Sequence, residues 1–222
     1  MENVPLIKPV LDYLEALSHN KNRPWFELHR PEYQAARAAF EQFIESIIDE
    51  FRAPDHLEGL AAKDCIARIF RDIRFSKDKT PYKTNLAALI APGGWRGSEF
   101  GYYISVAPHD QTFSGGGLHE PTAEQLDHFR QAIDRNASAF KKVTQKPEFL
   151  TLFGTIEGER LKTAPKGYDR AHPEIGLLQL KQFVAIHHFT DREVLAGDFK
   201  AKVISTCRGM RPFLDYLEEI MQ

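Results

Sequence analysis

The sequence predicts a single α+β domain with a largely antiparallel sheet, packed with N-terminal, central and C-terminal helices. Three observations lead there. Helical apolar periodicity dominates the first fifty residues, short apolar runs separated by turn residues dominate the middle, and helical periodicity returns at the end. Strands do not alternate with helices, so no parallel doubly wound sheet is expected. The length of 222 residues, with no linker, repeat or low-complexity tract, favours one domain over 1–222.

The elements follow in order. Ile7, Val10, Leu11, Leu14 and Leu17 recur at helical spacing and predict a helix over 6–18. Pro24 and Pro31 each suit a first helical turn, where a missing N–H costs nothing. The Trp25–Phe26 pair after Pro24 reads as a core plug at a helix start. A long helix over 32–52 carries Tyr33, Ala36, Phe40, Phe43, Ile44, Ile47, Ile48 and Phe51 on one stripe. Strands are expected at 65–70, 86–91 and 100–107, the last two joined by the turn-rich PGGWRGSE. A further strand starts at Thr112 and is expected to end at Gly115, Gly116 and Gly117. Thr122, with Gln125 three residues on, opens a helix over 123–134 in a capping box. Short helices are expected over 136–153 and a small extended segment over 155–162. Residues 183–189 form the last strand, and of two closing helices the second is expected to start at Pro212.

Composition excludes several classes. Hydrophobic residues make up 42% and charged residues 27%, ordinary for a globular chain and unlike a disordered one. No apolar run approaches the ~20 residues that span a bilayer, and the N-terminus has no signal-peptide pattern. Cys65 and Cys207 lie far apart in no metal or redox motif and are expected to be buried and reduced, so the expected location is cytoplasmic. The nine histidines show no metal-ligand spacing, and neither a metal nor a cofactor is expected. Lys plus Arg is 29 against 31 Asp plus Glu, so strong non-specific nucleic-acid binding is not expected.

Net charge conceals one concentration. From Lys63 to Lys83 there are seven Lys or Arg and three Asp, a net of +4, which leaves −6 for the rest of the chain. Arginine suits an anion site because it is always charged and presents a planar fork to phosphate or carboxylate. Arg68, Arg71, Arg74, Lys79 and Lys83 are therefore candidate ligand-binding residues, with Asp72 and Tyr82 as candidate proton-transfer groups. At least two of the three arginines are expected to converge with Lys79 or Tyr82 on one concave site, and Asp72 to pair with one of them. The competing reading is an internal ion-pair network that braces a long loop. Gly116 and Gly117 are further candidates, since consecutive glycines can turn backbone N–H groups toward a ligand; a tight bend at a sheet edge is the alternative.

The segment Arg68-x-x-Arg71-Asp72-x-Arg74-Phe75 followed by Asp78-Lys79-x-Pro81-Tyr82-Lys83 resembles the hallmark of a bacterial domain-of-unknown-function family, number 2461 in that series. Asn22-Arg-Pro-Trp25-Phe26, Gly101-Tyr102-Tyr103, Gly115-Gly116-Gly117-Leu118 and Pro165-Lys166-Gly167-Tyr168 are also similar to its pattern. The resemblance spans most of the chain and carries over no catalytic residues. Function therefore rests on the residues themselves. The first reading is an anion-binding pocket, open to an enzyme acting on a phosphorylated or polycarboxylate small molecule. The second is a nucleic-acid or nucleotide module with Tyr82 or Trp95 stacking on bases. The third is a scaffold whose Arg/Asp cluster only supports the fold. The sequence does not decide whether a reaction is catalysed, nor the oligomeric state.

Overall fold

The structure, a computed structural model, describes residues 6–97 and 100–221. Helices and one four-stranded antiparallel sheet, in strand order β1-β2-β3-β4, make up an α+β fold. The strands are β1 (Leu86–Ile90), β2 (Tyr102–Val106), β3 (Thr112–Leu118) and β4 (Phe183–Phe189). Leu86 of β1 lies opposite Val106 of β2. The chain divides into two compact units: residues 1–98, 102–114 and 188–204 form the first, and residues 99–101, 115–187 and 205–222 the second.

The first unit holds α1 (Lys8–His19), α2 (Arg23–Leu28), α3 (Arg30–Phe51), α4 (Ala62–Cys65) and α8 (Asp191–Val194). Pro24 and Pro31 sit in the first turns of α2 and α3, and the Asn22 side chain caps α2 by accepting the Trp25 N–H at 3.0 Å. The α1 stripe and the α3 residues Phe40, Phe43, Ile44, Ile47, Ile48 and Phe51 are buried, each contributing roughly 1.5–3 kcal/mol relative to exposure. Phe51 packs on Tyr102 with centroids 4.8 Å apart, and the Tyr102 hydroxyl donates to buried Asp55 at 2.7 Å. Cys65 is buried and unpaired, and burial pushes its thiol up to about 12.

In the second unit, α5 (Ala123–Thr144), α6 (Pro147–Phe153) and α7 (Ile175–Leu178) surround an aromatic core. Phe129 stacks on Phe183 at 3.7 Å, and Phe149 meets Phe213 edge-on at 5.9 Å. The expected capping box is present: Thr122 accepts the Gln125 N–H at 3.2 Å, and Gln125 accepts the Thr122 N–H at 2.8 Å. α5 continues beyond the expected helix through a kink at Asn136. The 155–162 segment does pair, through Glu157 with Val184 and Arg160 with Leu180. The last helix, α9 (Phe199–Met221), runs from the first unit into the second. No described helix is long and apolar enough to cross a membrane.

Three expectations are corrected. Residues 65–70 do not form a strand: Cys65 ends α4, and only isolated bridges follow, Ile66 with Ala88 and Phe70 with Tyr82. Four residue steps on one side face six on the other, so no regular ladder can form. Pro212 does not start the last helix but lies inside α9. Buried Cys207 and Met210 before it, and Phe213, Leu214 and Leu217 after it, hold the helix together across the missing N–H.

Glycines 115–117 do not end β3 but lie within it. A Cβ on Gly116 would come 2.4 Å from Met210 Sδ, and one on Gly117 (φ +118°) would come 2.1 Å from the Phe183 carbonyl oxygen. These glycines let backbone and helix approach the strand closely. They do not form a loop of N–H groups at a helix start.

Gly117→Ala is expected to cost at least about 3 kcal/mol, through strain and backbone collision together. Gly154→Ala, at φ +63° with open space around it, isolates the conformational part and should cost about 1 kcal/mol. Urea midpoints of the two variants check this, and equal losses would show that the close approach is unimportant.

Candidate functional site

The charged segment grows out of an irregular two-stranded ribbon in the first unit. Ala67 N–H donates to Ala87 O at 2.8 Å, Lys83 N–H to Ile69 O at 2.8 Å, and Arg71 N–H to Pro81 O at 2.9 Å. The ribbon is anchored by aromatic packing. Tyr82 is buried and stacks on buried Phe26 of α2 with centroids 4.2 Å apart. Phe70 leans on both rings, at 5.9 Å from Phe26 and 5.5 Å from Tyr82, and stays half-exposed. Phe26 is thus the expected core plug. Burial, with Glu27 adding to it, raises the Tyr82 phenol above its ordinary range.

Beyond Arg71 the chain leaves the ribbon as a loop closed by two aspartate turns. Asp72 accepts the backbone N–H of Arg74 at 3.2 Å and its guanidinium at 3.0 and 2.6 Å. Asp78 accepts the Thr80 N–H and hydroxyl, both at 2.9 Å, and the Arg71 guanidinium. Such side-chain-to-backbone bonds two residues on are how aspartate imposes a turn. Arg71 also donates to Thr80 Oγ1 at 2.5 Å, and Lys79 Nζ donates to Ile73 O at 2.9 Å. The Arg74 guanidinium holds the Asp72 carboxyl below its usual range. The Thr80 N–H, then the Arg71 guanidinium, lower Asp78 to about 2.

The predicted residues therefore separate into groups. Asp72 does pair with an arginine, Arg74. The three arginines do not converge: Arg71 is taken up by Asp78 and Thr80, and Arg74 by Asp72. Tyr82 is a packing group at the loop's base. Arg68 and Lys83 form no ion pair among the described residues. They are instead neighbouring like charges, and the Lys83 ammonium is lowered first by burial and then by Arg68. Gly116 and Gly117 belong to the second unit.

Sequence reasoning passed over two features. Phe75, between Arg74 and Ser76, is 95% exposed; a large aromatic residue amid a run of charges was the available signal. A cavity of about 230 Å³ in the first unit is lined by His56, Glu58, Asp64, Pro92 and Gly93 among others, and by none of the predicted site residues. Its two carboxylates suit no anion. Trp95 sits in a short 3-10 turn (Gly94–Arg96), half-exposed and 6.1 Å from Tyr103.

The family model of the conserved hypothetical protein family DUF2461 matches residues 9–216, and the chain belongs to that family. No curated protein and no solved structure matches it.

Asp78→Asn is expected to speed hydrogen exchange at the Thr80 amide several-fold at pH 7 while moving Tm by less than about 2 °C, because the loop is exposed. In the wild type the Asp78 contribution is complete above the ordinary carboxyl range and fades as pH falls from about 4 toward 2, following its depressed value. Unchanged Thr80 exchange in the variant would mean the turn is held by something other than this carboxylate.

Proposed function

We propose that this protein binds a small anion bearing phosphate or clustered carboxylates at the root of the 71–81 loop, between Arg68 and Lys83. The observation that carries the reading is the ribbon itself: the Lys83 N–H to Ile69 O bond, 2.8 Å, sets Lys83 across from the residue next to Arg68, and neither cation forms an ion pair among the described residues, Asp72 acting on Arg68 only at longer range. Bringing an ammonium out of water beside a guanidinium is unfavourable, and an anion placed between them removes that penalty. Arg68 supplies the planar fork and Lys83 the point charge, a division that suits the oxygens of one phosphate.

The remaining charges have a different task. Arg71, Arg74, Asp72 and Asp78 neutralise one another and give the loop its shape, so the bracing reading accounts for them while the anion reading accounts for Arg68 and Lys83. Proton transfer is a weaker reading: Asp72 is a poor base while it is held by Arg74, and Tyr82 is buried in the aromatic cluster. Binding is what this arrangement supports best.

Isothermal titration with pyrophosphate tests the proposal. Arg68→Ala and Lys83→Ala should each weaken binding by roughly tenfold or more, and Arg71→Ala much less. Lys83 carries a second signature. Its folded-state value is depressed, so its charged form opposes folding at neutral pH, and this opposition is lifted as pH rises from that value to the ordinary lysine range. Lys83→Met without ligand should therefore melt at or above the wild-type temperature at pH 7. No heat and no rise in Tm with millimolar pyrophosphate, citrate or inorganic phosphate would overturn the reading.

A further inference from the structure

We infer that Phe75 is a stacking platform for a nucleobase, and that the polyanion this surface takes is single-stranded nucleic acid. The inference rests on the reading of Arg68 and Lys83 as an anion site and adds the ring at the loop tip to it.

Phe75 is 95% exposed, although the loop that carries it is closed by hydrogen bonds. The Asp72 and Asp78 turns, the Arg71 contacts and the Lys79–Ile73 bond fix the chain on both sides of it. Among the described residues no aromatic ring packs on it; the guanidinium carbon of its neighbour Arg74 lies over the ring, 5.9 Å from the centroid. A braced loop thus holds an apolar ring in water, beside exposed Arg74, Lys77 and Lys79, with Arg68 and Lys83 at the loop's root.

The chemistry of the surroundings selects the partner. The net charge of +4 over Lys63–Lys83 requires an anionic one. Phe75 with half-exposed Phe70 at the loop's base is too little apolar area for a protein interface, which takes about 800 Å² per side, or for a stable bilayer anchor. It does suffice for a flat base, because one aromatic face stacks on one base whatever its identity. Duplex DNA keeps its bases stacked away from such a ring, and the −6 carried by the rest of the chain opposes a long stiff polyanion. A flexible single strand can lay a base on Phe75 and its phosphates toward Arg68 and Lys83.

Fluorescence anisotropy with a labelled oligothymidylate of about 15 nucleotides, and with a duplex of the same length, tests this on the full chain at about 50 and 200 mM salt. The wild type should bind the single strand with an affinity that falls steeply with salt, and bind duplex undetectably at the higher salt. Phe75→Ala should weaken single-strand binding roughly five- to a hundredfold with little change in salt slope, at unchanged Tm. Phe75→Trp should keep the affinity, with its indole emission quenched on binding. Equal affinity for duplex, no oligonucleotide binding, or a Phe75→Ala variant that binds like the wild type would each overturn the inference. So would Phe75-dependent binding to phosphatidylserine vesicles without oligonucleotide binding. Pyrophosphate separates the two readings: binding of pyrophosphate without oligonucleotide removes this inference alone, and binding of neither removes both.

Discussion

Between the Ile66–Ala88 and Phe70–Tyr82 bridges, three residues stand opposite five, and Pro81 has no N–H to offer beyond them. A β-ladder needs matched steps, so this mismatch limits the pairing to a few hydrogen bonds, of which Arg71 N–H to Pro81 O lies nearest the loop, and beyond that bond the chain leaves the ribbon. The rest of the site depends on that constraint. Because the ladder ends, the backbone polar groups beyond Arg71 need partners from nearby in sequence. Asp72 and Asp78 supply them by accepting N–H groups two residues on. Because those carboxylates sit in a short loop, their charge must be met there too, and Arg74 and Arg71 meet it.

This order of causes explains why so dense a charged motif leaves so little free charge. Two of the three arginines are consumed in shaping the loop, and Lys79 is directed to a backbone carbonyl. Arg68 and Lys83 lie on the two sides of the ribbon, outside both turns, and neither forms an ion pair among the described residues; Arg68 feels the Asp72 carboxylate only at longer range. Their like-charge proximity follows from the ribbon, which brings the two strands together at the loop's root. The acidic cavity by Glu58 and Asp64 belongs to the same unit, so charge is segregated there into a basic loop and an acidic hollow.

Local signals were legible in the sequence. The α1 and α3 stripes, the prolines in the first turns of α2 and α3, and the Thr122–Gln125 capping box all depend on residues within one or two turns of each other. Misread features depended on distant partners. Cys65–Phe70 has strand composition, but its register is set by residues 82–88. Glycines 115–117 look like a loop until Met210 and Phe183 are seen to occupy the space a Cβ would need. Pro212 is tolerated within α9 because both flanks are buried. At the site, the Asp72–Arg74 pair was accessible because it is local, whereas the Arg71–Asp78 pair required knowing that the loop closes on itself. Composition also marks phenylalanine as core, which hid the exposure of Phe75.

Structural and functional readings of the motif are therefore successive, not opposed. A free loop of this length would lose conformational entropy on binding, and that loss would be subtracted from any affinity. The aspartate turns and their arginines impose the order during folding, where core burial elsewhere offsets it. Arg68 and Lys83 stand at the root of a loop whose backbone is already fixed, and Phe75 at its tip. On the proposed reading the ion pairs need not touch a ligand to matter for binding; their effect is to hold the backbone from which the unpaired groups project.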